Sequence, residues 1–521
     1  MGNGREKMNE ANPRLDDVDT NPLRHIFVPA SLSFIKPLAL YQKISTVQCI
    51  TGGGTVQFDL GLHIDMKCGK DQRYTSPPIQ RIPPELLMEI FLWARTQYDS
   101  LDLADTHSLP WTLSQVCSSW RATAMSLPEI WTNFTLNPSR LIWKRQPLSL
   151  LTAVVTRCRH NLNFTWRDLA IDGGSDGEHL LQALFQVLIS CSDSWKVVQL
   201  ELPFQLIPML SQLHGRLSSL TDLHFSCYSS SVDTIEGFEI APRLTNVKIR
   251  GLGPYTRFAF PWRNLVHYCD HRIPEGRAFD LDILNKALRL EAFESNVRQQ
   301  ILSVPVPVFH DSLTRLNVRD SSFLDSLTLP ALREITLRPY IVVETRMDAI
   351  LPALLGLITR SKCFLHRLSV YDAAPDSDLV HILELSPELE SLSLNIPRCR
   401  DPSSVHLKSL MSRLQGALVS RLGTLAINRY DRDTSEAMVF LDEVFVEMIA
   451  ERHAKRVLRA VRFDVWVPEA GSYKCPLSER NVRRLKEFQA EGLELCIRAN
   501  DFGASKRYVT MVNLRRCGPR V

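Results

Sequence analysis

Two periods of apolar residues run along this chain, one helical and one strand-like. From Pro84 onward, Leu86, Leu87, Ile90, Phe91 and Ala94 fall on one face at helical spacing. Pro84 suits a first helical position and Glu85 lies near the positive end of the helix dipole, so the pattern predicts a helix of about three turns. A loop holding Asp99, Asp102, Asp105 and Thr106 follows. Pro110 then opens a second predicted helix with the stripe Leu113, Val116, Cys117, Trp120 and Ala124, and Pro128 stops it. Two helices this short cannot bury their own stripes, so Ile130, Trp131, the downstream chain or another protein must cover them.

Beyond residue 195 the pattern becomes a loose L-x-x-L-x-L, as expected of short strands stacked one per repeat. The copies are Val197/Leu200/Leu202, Leu220/Leu223/Phe225, Leu244/Val247/Ile249, Leu265/Tyr268, Leu290/Phe293, Leu313/Leu316/Val318 and Leu332/Ile335/Leu337. Four more follow: Leu365/Leu368/Val370, Leu389/Leu392/Leu394, Leu422/Leu425/Ile427 and Leu458/Val461/Phe463. First positions recur every 19 to 36 residues, and the longer steps leave room for helices over 440–449 and 481–489. The pattern predicts an α/β fold in which a short helical module is followed by an irregular leucine-rich-repeat solenoid. The interleaved Gln199, Glu201, His224, Lys248, Arg315, Asn317, Glu334, Arg367, Ser391 and Ser393 should project from the opposite strand face. A solvated face is favoured there over direct partner contact, although loops and exposed strand faces carry binding in such arrays.

This gives five regions: a poorly ordered or peripheral segment over 1–75, the helical module over 79–134, a linker and lead-in over 135–194, repeats over 195–500 and a basic tail over 501–521. The module and the repeats have separate patterns joined near Pro138 to Pro147, so deleting 79–134 is expected to leave the repeats folded. Apolar residues make up 45% and charged residues 23% of the 521, which excludes wholesale disorder. A net charge of +4 is too small to indicate a nucleic-acid partner, although 451–521 holds 16 Lys/Arg against 8 Asp/Glu. The 12 cysteines come no closer than 19 residues and form no CxxC pair, which disfavours zinc ribbons and disulfide modules. With no signal-like start and no long apolar run, no membrane association is expected, and the expected location is cytoplasmic or nuclear. Glu6 and the placement of Cys517 fail the myristoylation and prenylation patterns.

Candidate chemistry is sparse. Gly173-Gly174-Ser175-Asp176-Gly177 matches G-x-S-x-G between a possible strand over 162–171 and a helix, but no oxyanion loop precedes it, so a turn with Ser175 or Asp176 near the helix cap is favoured over a serine hydrolase. His267, Cys269 and His271 would share one strand face, yet no fourth ligand is identifiable and a non-metal cluster is favoured. No HExxH, P-loop or dinucleotide glycine motif occurs. No catalytic residue, metal ligand or cofactor is assigned.

Three segments carry a family likeness in order. Ile82-Pro83-Pro84-Glu85-Leu86-Leu87-Met88-Glu89-Ile90-Phe91, then Val116-Cys117-Ser118-Ser119-Trp120-Arg121, then Leu127-Pro128-Glu129-Ile130-Trp131, resemble the F-box module of mushroom-forming fungi. The resemblance implies docking onto a Skp-type adaptor within a cullin ubiquitin ligase, through Ile82, Pro83, Leu86, Leu87, Ile90, Phe91, Val116 and Trp120. It implies a non-catalytic protein that recruits an as yet unknown client through its repeats, or a scaffold that binds the adaptor without assembling a ligase.

Overall fold

The structure is a computed structural model that describes residues 46–51, 54–59 and 82–510, the last apart from 97–99, 143, 159–160, 168–174, 230–233, 254–255, 273–278, 296–306, 320, 339–349, 372–374, 397–402, 431–440, 468–476 and 502–507. The chain divides into two units, Met1–Pro77 and Pro78–Val521. In the first, Thr46–Thr51 and Gly54–Asp59 pair as an antiparallel hairpin. The rest of the segment expected to be poorly ordered or peripheral lies outside the described residues, as does most of the expected basic tail.

The second unit is mixed α/β. Among the described residues, sixteen of its strands form one sheet that follows chain order from Leu101–Asp102 to Glu494–Asp501, every one of those neighbours pairing in parallel, and two short strand pairs lie apart from it. Tyr508–Thr510 adds to the last edge antiparallel. All eleven predicted repeat positions carry a strand of this sheet, but the first copy is out of register: Val197 is 44% exposed, and Trp195, Val198 and Leu200 take the copy's core positions. The leading leucines of the later copies, from Leu220 through Leu422, are completely buried. Just after the leading leucine of each copy from Leu244 to Leu458, two successive N–H groups converge on one carbonyl of the preceding copy: Thr245 and Asn246 on Thr221, Val266 and His267 on Thr245, and so on to Arg459 and Ala460 on Gly423. This repeated bond holds the strand entry constant while the returning segments vary in length.

The helices predicted in the longer steps are present as Glu443–Ala454 and Glu479–Ala490. Arg452 on the first of them is buried and donates to the carbonyls of Leu414, Leu418 and Val419, tying it to the preceding turn. Val419 itself has φ +43°, a conformation that a β-branched residue holds only when its surroundings fix it.

Two copies lacked a third apolar position in the sequence, and polar residues fill it. Asp270 is fully buried and Ser295 nearly so. Asp270 pairs with buried Arg272 and accepts from the Tyr268 hydroxyl at 3.0 Å, while Arg272 donates to the Thr256 carbonyl at 2.7 Å. A buried carboxylate is tolerated because it is paired and hydrogen-bonded.

The expected boundaries need two corrections. The segment read as a linker and lead-in, 135–194, is part of the sheet unit: besides the expected strand and helix, found as Leu162–Arg167 and Ser175–Ser190, it contains the helix Pro147–Cys158. Moreover, Asn133–Leu136 is itself a sheet strand, so the helical module runs into the same core as the repeats. The first copies escape a leucine pattern because aromatics replace leucines: Trp131/Phe134/Leu136 is followed by Phe164 and Trp166, with Phe134 stacked on Phe164 at 5.7 Å. At the far end Glu494–Asp501 is a further repeat strand, hidden because Gly492, with φ +107°, leads it in place of leucine.

Candidate functional site

The helical module consists of α1 (Pro84–Thr96), α2 (Leu109–Val116) and α3 (Ser118–Ser126). The single second helix expected from the sequence is split, because Cys117 is extended at φ −158° and its sulfur accepts the Trp120 N–H at 3.5 Å as the cap of α3. Arg121 Nε donates to the Ser114 carbonyl at 2.8 Å and holds the corner. Trp131 anchors the module from below: its indole N–H donates to the Ala124 carbonyl at 2.8 Å, its ring meets Trp111 edge-on at 4.9 Å, and the Arg157 guanidinium lies 4.7 Å above it.

α1 carries two apolar stripes rather than one. Leu87 and Phe91 are buried at 1% and 0% exposure, with Phe91 edge-on to Trp120 at 5.1 Å. Leu86, Ile90 and Trp93 are 56%, 36% and 45% exposed and recur at helical spacing along another stripe. Of the residues expected to meet a partner, Leu86, Ile90, Pro83 and Val116 are exposed and Ile82 is half-buried. Leu87, Phe91 and Trp120 are corrected to core residues, since a fully covered side chain has no surface to offer. Trp93 was missed: an i, i+4, i+7 reading from Leu86 would have found it.

The open face of the sheet is the second candidate surface. All ten interleaved residues expected there are exposed or half-buried, while their strand neighbours are covered. Parallel register aligns Gln199, His224, Lys248, Cys269, Glu294 and Asn317 in one row across the face. A shallow depression lies over this row on the strands around His224, and a second continues from His267 and Cys269 toward Glu334. Burial, reinforced by Lys248, Arg250 and His271, pulls His224 down to about 4, so it is neutral near pH 7. His267 is also lowered, first by burial and then by Arg315, whose Nη2 lies 2.9 Å from His267 Nε2.

The structure separates the three residues of the possible metal cluster. His267 turns to Arg315, whereas Cys269 and His271 lie together with Glu294 from the next strand. Burial and the adjoining Glu294 push the Cys269 thiol up to about 12, and hydrogen bonding from His271 lowers Glu294. Burial likewise raises the thiols of Cys158, Cys191, Cys227 and Cys363. Ser175 opens the helix Ser175–Ser190, while Gly173 and Gly174 lie outside the described residues. No described helix is long and apolar enough to cross a membrane. No family model matches the chain, and no curated protein matches it.

Proposed function

We propose that this chain is a substrate-recruiting adaptor of a Skp–cullin–F-box ubiquitin ligase, with α1–α3 as an F-box-type docking module and the stacked strands as a leucine-rich-repeat-type platform for a client protein. The observation that carries the reading is the second apolar stripe of α1. Leu86 and Ile90 remain exposed although the helix already buries Leu87 and Phe91, and they fall within the segment that resembles an F-box. An apolar helix face of this kind is what a partner groove covers. Regular parallel stacking of one strand per copy supports the platform reading, with the polar row from Gln199 to Asn317 available to a client. In this role the protein makes and breaks no bond: it raises the effective concentration of a client lysine near a charged conjugating enzyme.

Affinity purification of the full chain from cells with the proteasome blocked tests the reading. Co-purification of both a Skp-type adaptor and a cullin is expected. Adaptor without cullin would indicate the scaffold that assembles no ligase, and recovery of neither would overturn the proposal.

A further inference from the structure

Cys269, His271 and Glu294 are brought together by the sheet. Parallel register sets Cys269 directly opposite Glu294 on the neighbouring strand, and His271, two residues on, projects from the same face. Their donor atoms converge: Cys269 Sγ lies 3.3 Å from His271 Nε2 and 3.4 Å from Glu294 Oε2, and His271 Nε2 lies 2.9 Å from Glu294 Oε1. From these contacts we propose that the three side chains form a site for zinc or another divalent ion that accepts a thiolate ligand, with the fourth position open to the groove.

Three arguments support the site. Tetrahedral coordination with metal–sulfur bonds of about 2.3 Å and metal–nitrogen or metal–oxygen bonds of about 2.0–2.2 Å needs donors about 3.3–3.6 Å apart. Sγ to Nε2 is already in that range, and the carboxylate reaches sulfur through Oε2 and nitrogen through Oε1, so a small rotation of Glu294 presents it to an ion. Both the sulfur and the carboxylate approach the same ring nitrogen. A nucleophile relay would instead use one imidazole nitrogen for the thiol and the other for the carboxylate, so the convergence fits a shared ligand and not a cysteine–histidine–acid triad. Asn317 Nδ2 donates to Glu294 Oε1 at 2.8 Å, the kind of outer contact that orients a ligating carboxylate.

The donor set also selects the ion. Sulfur and imidazole favour zinc-like borderline metals over magnesium or calcium, which take oxygen ligands. Thiolate and carboxylate together neutralise a dication. Cys269 lines both depressions of the open face, so water or a donor from a bound chain would complete the coordination.

Cobalt(II) is the probe. Titrated into the purified full chain, one equivalent should bring up a near-ultraviolet sulfur-to-metal band and the strong visible absorption of tetrahedral cobalt, and zinc should displace both. Cys269→Ser should abolish the sulfur band, Glu294→Gln should weaken cobalt binding by at least about tenfold, and Cys191→Ser should change neither. In the unaltered chain, zinc should slow alkylation of Cys269 by at least about tenfold, as measured by peptide mass spectrometry. Absence of the sulfur band, its survival in Cys269→Ser, or an alkylation rate indifferent to zinc would each overturn the site, and the first and last need no variant to fold.

Discussion

Asp270 is where the repeat pattern breaks, and removing its carboxylate should be costly. In register it lies between apolar Ile249 and buried Ser295, yet it is fully buried against Arg272, which is only 5% exposed. Asp270→Ala removes the carboxylate paired with that buried guanidinium, and should cost about 3–5 kcal/mol in chemical denaturation. A loss below about 1 kcal/mol would show that the pair is not held as described. The sequence disclosed this position only as a gap in the leucine register. Residue-scale reading also merged the two stripes of α1, since Leu86/Ile90 and Leu87/Phe91 lie one residue apart and apolarity alone does not say which stripe meets the core. Three-dimensional packing decides it, by placing Trp120 against Phe91.

At the scale of elements, strands led by leucine were legible as repeats, the one over 162–167 was legible only as an isolated strand, and those over 133–136 and 494–501 were not. Trp131, Phe134, Phe164 and Trp166 perform the leucine role at the start of the sheet, and Gly492 leads its last parallel strand. The apparent joint near Pro138 to Pro147 is therefore interior to the fold. Cys158 Sγ donates to the Trp131 carbonyl at 3.1 Å across it, and Phe164 meets Trp195 edge-on at 5.1 Å just beyond. A chain beginning at residue 148 would strip the strand Asn133–Leu136 from its neighbour and uncover the Phe164 side of the core. It should melt well below the full chain or fail to melt cooperatively, and Trp131→Ala in the full chain should cost about 3–5 kcal/mol. A 148-onward fragment with the melting temperature of the whole protein would restore the boundary that the sequence suggested.

At the scale of the whole molecule, one continuous core reaches from α1 to Leu495 and Ile497 in the Glu494–Asp501 strand. An α1 docked on a partner is thus held by the same framework that presents the open face of the sheet, which fixes the one surface relative to the other within this unit. Periodicity alone conveyed the repeated strands, and the docking role came from a resemblance, so the role is where a measurement is most needed. The full chain and its Leu86→Asp/Ile90→Asp variant should be titrated calorimetrically with a purified Skp-type adaptor, each after a thermal melt. Both side chains are exposed, so the variant should melt close to the unaltered chain while its affinity falls at least about thirtyfold, equivalent to about 2 kcal/mol at an interface hot spot. No binding by the unaltered chain, or equal affinity in a folded double variant, would contradict the docking assignment and the ligase role built on it.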